Sequence, residues 1–211
     1  MTAGVFRGFV SVPLSPCIRA FLQDFTSEAR QALSEWRFVS TDNLHITLQF
    51  LGNHVQRAMI PEILKVIAQS VTGIAPFDLF MGSASAFPGR GRPRVLYVGA
   101  GQGNDNAAKL AGSVRSGLST LGFEENKPFQ AHVTLARRKR GACPANKRAK
   151  VFNERGIWEA MFSQFKGKCL AESNHTGLHW RVSEVLLMES TLYPQGPVYS
   201  ALGRVPLLSR Q

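Results

Sequence analysis

Two stretches of the sequence decide the fold: NLHITLQFLG at Asn43–Gly52 and KPFQAHVTLARRKR at Lys127–Arg140. Each contains a histidine, an apolar residue, a threonine and a second apolar residue in that order. Both are typical of short strands, in which alternate side chains point to opposite faces. We therefore expect each strand to present one imidazole and one hydroxyl on one face, backed by an apolar surface. The repetition predicts two related halves.

The two matched pairs, His45 with Thr47 and His132 with Thr134, suit in-line displacement at phosphorus. A neutral imidazole can take a proton from water and a protonated one can give a proton to the leaving oxygen, because the ordinary histidine pKa is about 6.5. The threonine hydroxyls can hydrogen-bond non-bridging phosphate oxygens. Imidazolium and positioned donors can carry the developing charge, so this scheme needs neither a metal nor another cofactor.

Strict alternation makes a further prediction about the first strand. It places Gln49 on the face of His45 and Thr47, and Phe50 on the opposite, apolar face.

The rest of the chain interleaves predicted helices and strands, which favours an α+β domain. Apolar residues spaced three and four apart predict three helices: one that Ser15 caps and Trp36 ends, then Met59–Val71 and Ala107–Leu121. The predicted strands are Arg7–Val12, Leu44–Leu51, Phe77–Ala86, Val95–Val98, Ala131–Ala136, Val182–Glu189 and Val198–Val205.

The charge of the chain is concentrated in one region. The 211 residues include 25 Lys and Arg against 14 Asp and Glu, a formal net charge of +11, with 44% hydrophobic residues for a core. Twelve basic and three acidic residues between Lys127 and Arg181 account for +9 of that charge. Such a concentration indicates a polyanionic partner, with nucleic acid as the leading candidate. The alternative is a solvated loop that keeps the protein soluble.

Several classes of protein do not fit this sequence. No apolar run approaches the roughly 20 residues of a membrane-spanning helix, so no membrane partner is expected. Three cysteines in no C-x-x-C spacing predict a reducing, cytoplasmic location. The cysteines and histidines near the end of the basic region lack the close pairing of a structural zinc site, so no metal is expected.

The two stretches resemble the motifs of the RNA 2′,3′-cyclic phosphodiesterases, also called 2′-5′ RNA ligases, of the two-histidine phosphoesterase superfamily. Segments at Arg7–Val12, Arg92–Gly99 and Ser190–Tyr199 are also similar to family segments. The resemblance implies one bilobal domain over residues 1–211, with pseudo-twofold symmetry and two antiparallel sheets flanked by helices around a central cleft. It also implies metal-independent hydrolysis of RNA 2′,3′-cyclic phosphate ends to a 2′-phosphate by a monomer, with 2′-5′ RNA ligation as the reverse reaction.

The resemblance implies six site residues: the acid–base pair His45 and His132, the phosphate-binding Thr47 and Thr134, Arg137 near the phosphate and base, and Phe50 stacked on the nucleobase. Arg137 and Phe50 each lie five residues after a histidine, on the opposite parity, so these roles require the strand to twist or end there. A core position is the alternative for Phe50. The preferred assignment makes His45 the acid for the 3′ oxygen and His132 the base for water, although the sequence leaves the two roles interchangeable.

The sequence departs from the family pattern in two places. Ala131 stands where the family usually has proline before the second histidine. Residues 138–179 form a longer and more basic insertion, for which we expect one helix around Trp158–Phe165 between flexible segments at Gly141–Lys150 and Glu172–Gly177. We hypothesise that this insertion extends the grip on an RNA backbone beyond the terminal nucleotide.

Two other functions remain open from the sequence. The chain could be a noncatalytic RNA-binding module on the same fold, although binding alone does not need two opposed titratable groups. It could also be a phosphodiesterase that acts on ADP-ribose cyclic phosphate or on 2′-5′ oligonucleotides.

Overall fold

The structure, a computed structural model, describes residues 4–139, 149–172 and 178–209. The described residues form nine strands and four α-helices. The strands are β1 (Val5–Pro13), β2 (Trp36–Phe38), β3 (His45–Gln56), β4 (Phe77–Phe87), β5 (Val95–Ala100), β6 (His132–Arg138), β7 (His179–Val182), β8 (Glu184–Tyr193) and β9 (Gly196–Pro206). The helices are α1 (Pro16–Ala32), α2 (Ile60–Ser70), α3 (Asn104–Ser119) and α4 (Ala149–Glu172), with short 3-10 turns at Thr41–Asn43 and Arg57–Met59.

The strands pair antiparallel in the order β7-β4-β5-β6-β3-β1-β8-β9, and β2 pairs with the end of β6. Two blocks of four strands, β7-β4-β5-β6 and β3-β1-β8-β9, meet at one paired position, Ile46 with Val133. These two residues occupy the same place in the two His-x-Thr-x motifs. The predicted α+β fold with two related antiparallel sheets is confirmed, and the two sheets are continuous through this pair.

Helices cover the sheet in two pairs, α1 with α4 and α2 with α3. Helix α1 begins after Ser15, whose Oγ accepts a hydrogen bond from the Ile18 N–H at 3.3 Å. The motif strands bury Ile46 and Leu48 beneath this layer, whereas His45 and Thr47 remain partly accessible. None of the helices among the described residues is long and apolar enough to cross a membrane.

Helix α4 makes the predicted basic insertion part of the core. The sequence predicts a short helix around Trp158–Phe165, and the structure has a helix of 24 residues in its place. The segments predicted to be flexible lie mostly in 140–148 and 173–177, outside the described residues.

The core contact of α4 is made by two aromatic side chains. Trp158 is 0% exposed, and its indole Nε1 donates a hydrogen bond to the Tyr97 carbonyl at 3.2 Å. Its ring lies 4.9 Å from that of Phe25 on α1, measured between centroids. Phe162, one turn further along, lies 5.1 Å from the same phenylalanine ring. Deleting the insertion would therefore remove part of the core, so the hypothesis that it grips an RNA backbone is better tested by point substitutions.

Arg138 shows that the basic residues of this region are not all available to a partner. Its side chain is 8% exposed and forms ion pairs with Glu35, at 3.2 Å, and with Glu154. Its guanidinium also lies 4.5 Å from the centre of the Trp36 ring. This charge is neutralised inside the protein, so the cationic surface is smaller than the count of basic residues predicts.

The sequence does not predict two of the strands, β2 and β7. They have only three and four residues, and each buries only two side chains. An alternating pattern over only three or four residues does not distinguish a strand from a loop.

We expect Trp158→Ala to lower the free energy of unfolding by about 3–5 kcal/mol, because it leaves a cavity between α1, α4 and β5. Urea denaturation followed by circular dichroism measures the change. Lys168→Ala, on an exposed position of the same helix, is the matched control and should change stability by no more than about 0.5 kcal/mol. Equal effects of the two substitutions would show that α4 is not part of the core.

Candidate active site

A cavity of about 580 Å³ lies where the two motif strands meet. The structure brings all six predicted site residues to its wall: His45, Thr47, Phe50, His132, Thr134 and Arg137. The first three come from β3 and the last three from β6, so the cavity depends on both halves of the chain.

A β-bulge in β3 brings Phe50 to the cavity. Val10 of β1 pairs with Gln49 and Ser11 pairs with Thr47, so Leu48 has no partner of its own across this pair of strands. The extra residue reverses which face the following side chains point to.

Strand β6 has a bulge at the equivalent place. Leu96 of β5 pairs with Ala136 and Tyr97 pairs with Thr134, which leaves Leu135 as the extra residue. Leu48 and Leu135 are both the fourth residue of a His-x-Thr-x motif. The two bulges therefore extend the internal repeat from the sequence to the backbone.

The bulge in β3 shows that the prediction of strict alternation along this strand is wrong. Gln49 does not share the face of His45; it is 1% exposed, and its Nε2 donates a hydrogen bond to the Phe123 carbonyl at 2.7 Å. Phe50 lines the cavity and so is not a core residue, and Arg137 lines it from the equivalent position. One additional residue in each strand thus supplies the change of direction that Phe50 and Arg137 need in order to face the cavity.

Each histidine ring is held by a main-chain carbonyl two residues before it. Nδ1 of His45 lies 2.7 Å from the Asn43 oxygen, and Nδ1 of His132 lies 2.7 Å from the Gln130 oxygen. A carbonyl only accepts hydrogen bonds, so Nδ1 carries the hydrogen and the neutral ring leaves Nε2 free to accept a proton. Nε2 of His45 lies 3.0 Å from the Thr47 hydroxyl, which can donate to it.

Aromatic rings pack against both imidazoles and shield part of each ring from water. The His45 ring stacks on Phe9 with 4.8 Å between centroids and meets Tyr199 edge-on at 5.3 Å. The His132 ring meets two rings edge-on at 5.1 and 5.3 Å, those of Phe87 and Tyr97.

This burial lowers the pKa of both histidines. Burial is the main reason that the pKa of His45 falls from 6.5 to about 4; the Asn43 carbonyl opposes this fall, and the charges of His132 and Arg137 contribute to it. Burial also lowers the pKa of His132, with the Gln130 carbonyl opposing it and Arg137 adding to it. Both rings are therefore neutral at neutral pH. An anion bound between them raises both pKa values, and one ring can then hold a proton.

Three arginines that the sequence does not single out also line the cavity: Arg7, Arg30 and Arg37. None of the described lining residues is Asp or Glu. Within the described ranges, no group of three or more His, Cys, Asp or Glu side chains is placed to hold a metal ion. The cavity thus combines two proton-transfer groups, two hydroxyls and four guanidinium groups, which is an arrangement suited to a phosphate ester.

The model of the 2′-5′ RNA ligase superfamily matches residues 15–191. The chain belongs to this superfamily. It is 29% identical over 198 residues to the RNA 2′,3′-cyclic phosphodiesterase of Archaeoglobus fulgidus, covering 93% of this chain and 97% of that protein. It is 32% identical over 172 residues to a protein of the same name from Aeropyrum pernix, covering 81% of this chain and 86% of the relative.

Solved structures of other proteins have the superfamily fold seen here. A crystal structure of a Thermus thermophilus protein is 29% identical, superposes with a TM-score of 0.73, and covers 97% of this chain and 100% of its own. Escherichia coli LigT in its apo form is 22% identical, with a TM-score of 0.68 and coverage of 98% and 99%. The second likeness shows the fold alone.

We expect Arg137→Gln to raise the pKa of both histidines, because the guanidinium charge lowers both. NMR titration of the imidazole carbon-bound protons measures the two values. Arg204→Gln removes the same charge from an exposed ion pair that does not line the cavity, and should leave both pKa values unchanged. Unchanged values in Arg137→Gln would mean that its charge does not act on the histidines.

Proposed function

We propose that this protein is a phosphoric diester hydrolase that converts RNA 2′,3′-cyclic phosphate ends to 2′-phosphates, and that 2′-5′ RNA ligation is the same displacement with the 5′-hydroxyl of a second RNA end in place of water. The observation that carries the proposal is the meeting of both histidine–threonine pairs in one cavity whose described lining is cationic. The names of the relatives from Archaeoglobus fulgidus and Aeropyrum pernix support the substrate. The chain provides acid, base and phosphate donors, so the reaction is proposed to need no metal or cofactor.

The pairing of the motif strands gives the cavity two different ends. Because β3 and β6 are antiparallel and Ile46 pairs with Val133, the register brings His132 toward Thr47 and His45 toward Thr134. Along the strands, His132 is therefore nearer to the end with Phe50, and His45 is nearer to the end with Arg137.

The chemistry of ribose determines how a terminal nucleotide fits this cavity. The base is attached to C1′, next to C2′, whereas the 5′ side of the chain leaves from C4′, next to C3′. A base stacked on Phe50 turns O2′ toward that end of the cavity and O3′ toward the end with Arg137. Thr47, Thr134 and Arg137 then donate to the non-bridging oxygens of the cyclic phosphate.

This orientation supports the assignment of His45 as acid and His132 as base. Nε2 of His132 takes a proton from water as the water oxygen forms a bond to phosphorus in line with O3′. The bond between phosphorus and O3′ breaks, and Nε2 of His45 gives its proton to O3′. The product keeps the bond to O2′ and is a 2′-phosphate. Transfer of a proton from His132 back to His45 through solvent completes the cycle.

The proposal includes one bilobal domain over residues 1–211 that acts as a monomer in the cytoplasm. One chain supplies every residue named in the mechanism. Three cysteines in no C-x-x-C spacing support a reducing compartment.

We expect the protein to hydrolyse nucleoside 2′,3′-cyclic phosphates in excess EDTA, with 2′-phosphate as the product. His45→Ala and His132→Ala should each lower kcat by at least about 100-fold, because each removes one proton-transfer group. Chromatography that separates 2′- from 3′-phosphates measures both rate and product. His54→Ala, at an exposed position of the same strand as His45, is the matched control and should retain activity.

Three results would contradict this mechanism: loss of activity in EDTA, activity that survives loss of either motif histidine, or a 3′-phosphate product. RNA binding without hydrolysis of any cyclic phosphate would favour the noncatalytic module. Faster hydrolysis of ADP-ribose cyclic phosphate or of 2′-5′ oligonucleotides would change the substrate and leave the mechanism in place.

We expect a bell-shaped dependence of kcat/KM on pH, with its maximum below about pH 6.5. The reaction needs one protonated and one neutral imidazole, and burial holds the pKa of both below 6.5 in the free protein. Activity falls at high pH as the acid loses its proton, and at low pH as the base gains one. The limbs of kcat should lie at higher pH, because the bound phosphate raises both pKa values. Steady-state rates from about pH 4 to 8 measure both profiles; a kcat/KM maximum above about pH 7 would contradict this expectation.

A further inference from the structure

The arginines that line the cavity form no ion pair with a described carboxylate. Ion pairs between arginine and carboxylates lie outside the cavity; those in the described ranges are Arg57 with Glu189, Arg138 with Glu35 and Glu154, Arg181 with Asp78, and Arg204 with Glu184. No such ion pair involves the cavity arginines, and the described lining contains no carboxylate. Their charges are therefore available to an anionic ligand.

Arg37 places a further positive charge on the cavity lining, next to Arg137. The two residues pair directly across β2 and β6, so their side chains leave the same face with Cα atoms about 5 Å apart. The neighbours of Arg37 in β2, Trp36 and Phe38, are buried, whereas Arg37 is exposed on the cavity side. Its Nη2 donates a hydrogen bond to the Gln195 carbonyl of the β8–β9 turn. A guanidinium has five N–H groups, so this bond orients the side chain and leaves donors for an anion.

Arg30 also lines the cavity and contacts Phe38, the residue that follows Arg37 in β2. Its guanidinium carbon lies 5.1 Å from the centre of the Phe38 ring, a cation–π contact that positions the charge without neutralising it. Arg30 comes from the last turn of α1 and is exposed. Two guanidinium groups from different elements, each held by a neutral partner, therefore face the cavity.

We propose that Arg37 and Arg30 form a second phosphate site, which binds the phosphate on O5′ of the ribose that carries the cyclic phosphate. This inference rests on the proposed function. With the base on Phe50 and O3′ toward Arg137, the C4′ side of the ribose, and with it O5′, faces the end of the cavity that holds Arg37. The site distinguishes a nucleotide with a phosphate on O5′ from one that ends in a hydroxyl.

A phosphate on O5′ has two sources, the next phosphodiester of an RNA strand or a pyrophosphate such as that of ADP-ribose cyclic phosphate. The structure favours the RNA strand. Arg30 and Arg37 are both exposed, so a chain that continues in the 5′ direction leaves this site directly into solvent. The arginines then contact the backbone and set the register of the RNA without reading its sequence.

The test compares kcat/KM for a dinucleotide that ends in a 2′,3′-cyclic phosphate with kcat/KM for the corresponding nucleoside 2′,3′-cyclic phosphate. We expect the protein to prefer the dinucleotide by about tenfold, the value of one charge-assisted hydrogen bond. Arg37→Gln and Arg30→Gln should each reduce this preference, and the double substitution should abolish it. The salt slope for the dinucleotide should also fall by about 0.7 in the double variant, because one phosphate fewer is neutralised by the protein.

Two controls separate charge from other contributions. A dinucleotide with a neutral methylphosphonate linkage keeps the second base and sugar but lacks the charge, and it should show no preference over the nucleoside. Arg204→Gln removes a charge from an exposed ion pair outside the cavity and should leave the preference as in the unmodified protein. Since Arg37 also holds the β8–β9 turn, Arg30→Gln provides a variant that leaves that hydrogen bond intact.

The inference is overturned if the dinucleotide has no advantage, if the advantage survives the double substitution, or if the neutral linkage retains it. A stronger preference for ADP-ribose cyclic phosphate that depends on the same two arginines would assign the site to a pyrophosphate and overturn the choice of an RNA strand. Failure to hydrolyse any of these cyclic phosphates would instead overturn the proposed function on which the site depends.

Discussion

Ile46 and Val133 pair where the two halves of the sheet meet, and the geometry of the site depends on this contact. Neither side chain faces the cavity; both are buried on the helical side of the sheet. Because the pair joins equivalent positions of the two motifs, it brings each histidine toward the threonine of the other half. Any slip of one residue in this register would turn one histidine–threonine pair into the core. The apolar residues of the motifs are therefore as much a requirement of the site as the polar ones.

The surroundings of the histidines combine two opposing effects. The aromatic rings and the depth of the cavity disfavour the protonated form, whereas the carbonyls of Asn43 and Gln130 favour it by accepting from Nδ1. The carbonyls also fix which nitrogen faces the substrate. Two neutral rings suit a site whose negative charge arrives with the ligand. The charge of the bound phosphate favours the protonated imidazole, so ligand binding determines when a ring holds a proton. In the proposed mechanism Arg137 binds that phosphate, and its charge also lowers the pKa of both histidines.

The sequence predicts the two motif strands well because their signal is local and occurs twice. A histidine and a threonine two residues apart in an apolar strand share a face, and the structure has both pairs on the cavity wall. The positions of Gln49 and Phe50 are harder to predict, since an alternating pattern contains no mark of a bulge. Nothing in the sequence points to Arg37 and Arg30, because the first lies on a strand of three residues and the second on the polar side of a helix. Their place at the cavity depends on tertiary pairing, which a single sequence does not show.

Phe50 and Arg137 occupy equivalent positions in the two halves. The difference between their side chains bears on which of two reaction products forms. A cavity with true twofold symmetry would accept a cyclic phosphate in two orientations and would release a mixture of 2′- and 3′-phosphates. The two halves share their histidines, threonines and bulges, and they differ in the side chain that each bulge turns toward the cavity: an aromatic ring in one half and a guanidinium in the other. In the proposed mechanism, this asymmetry helps to break the degeneracy between the two orientations. In that mechanism, residues that take no part in proton transfer determine which bond to phosphorus breaks.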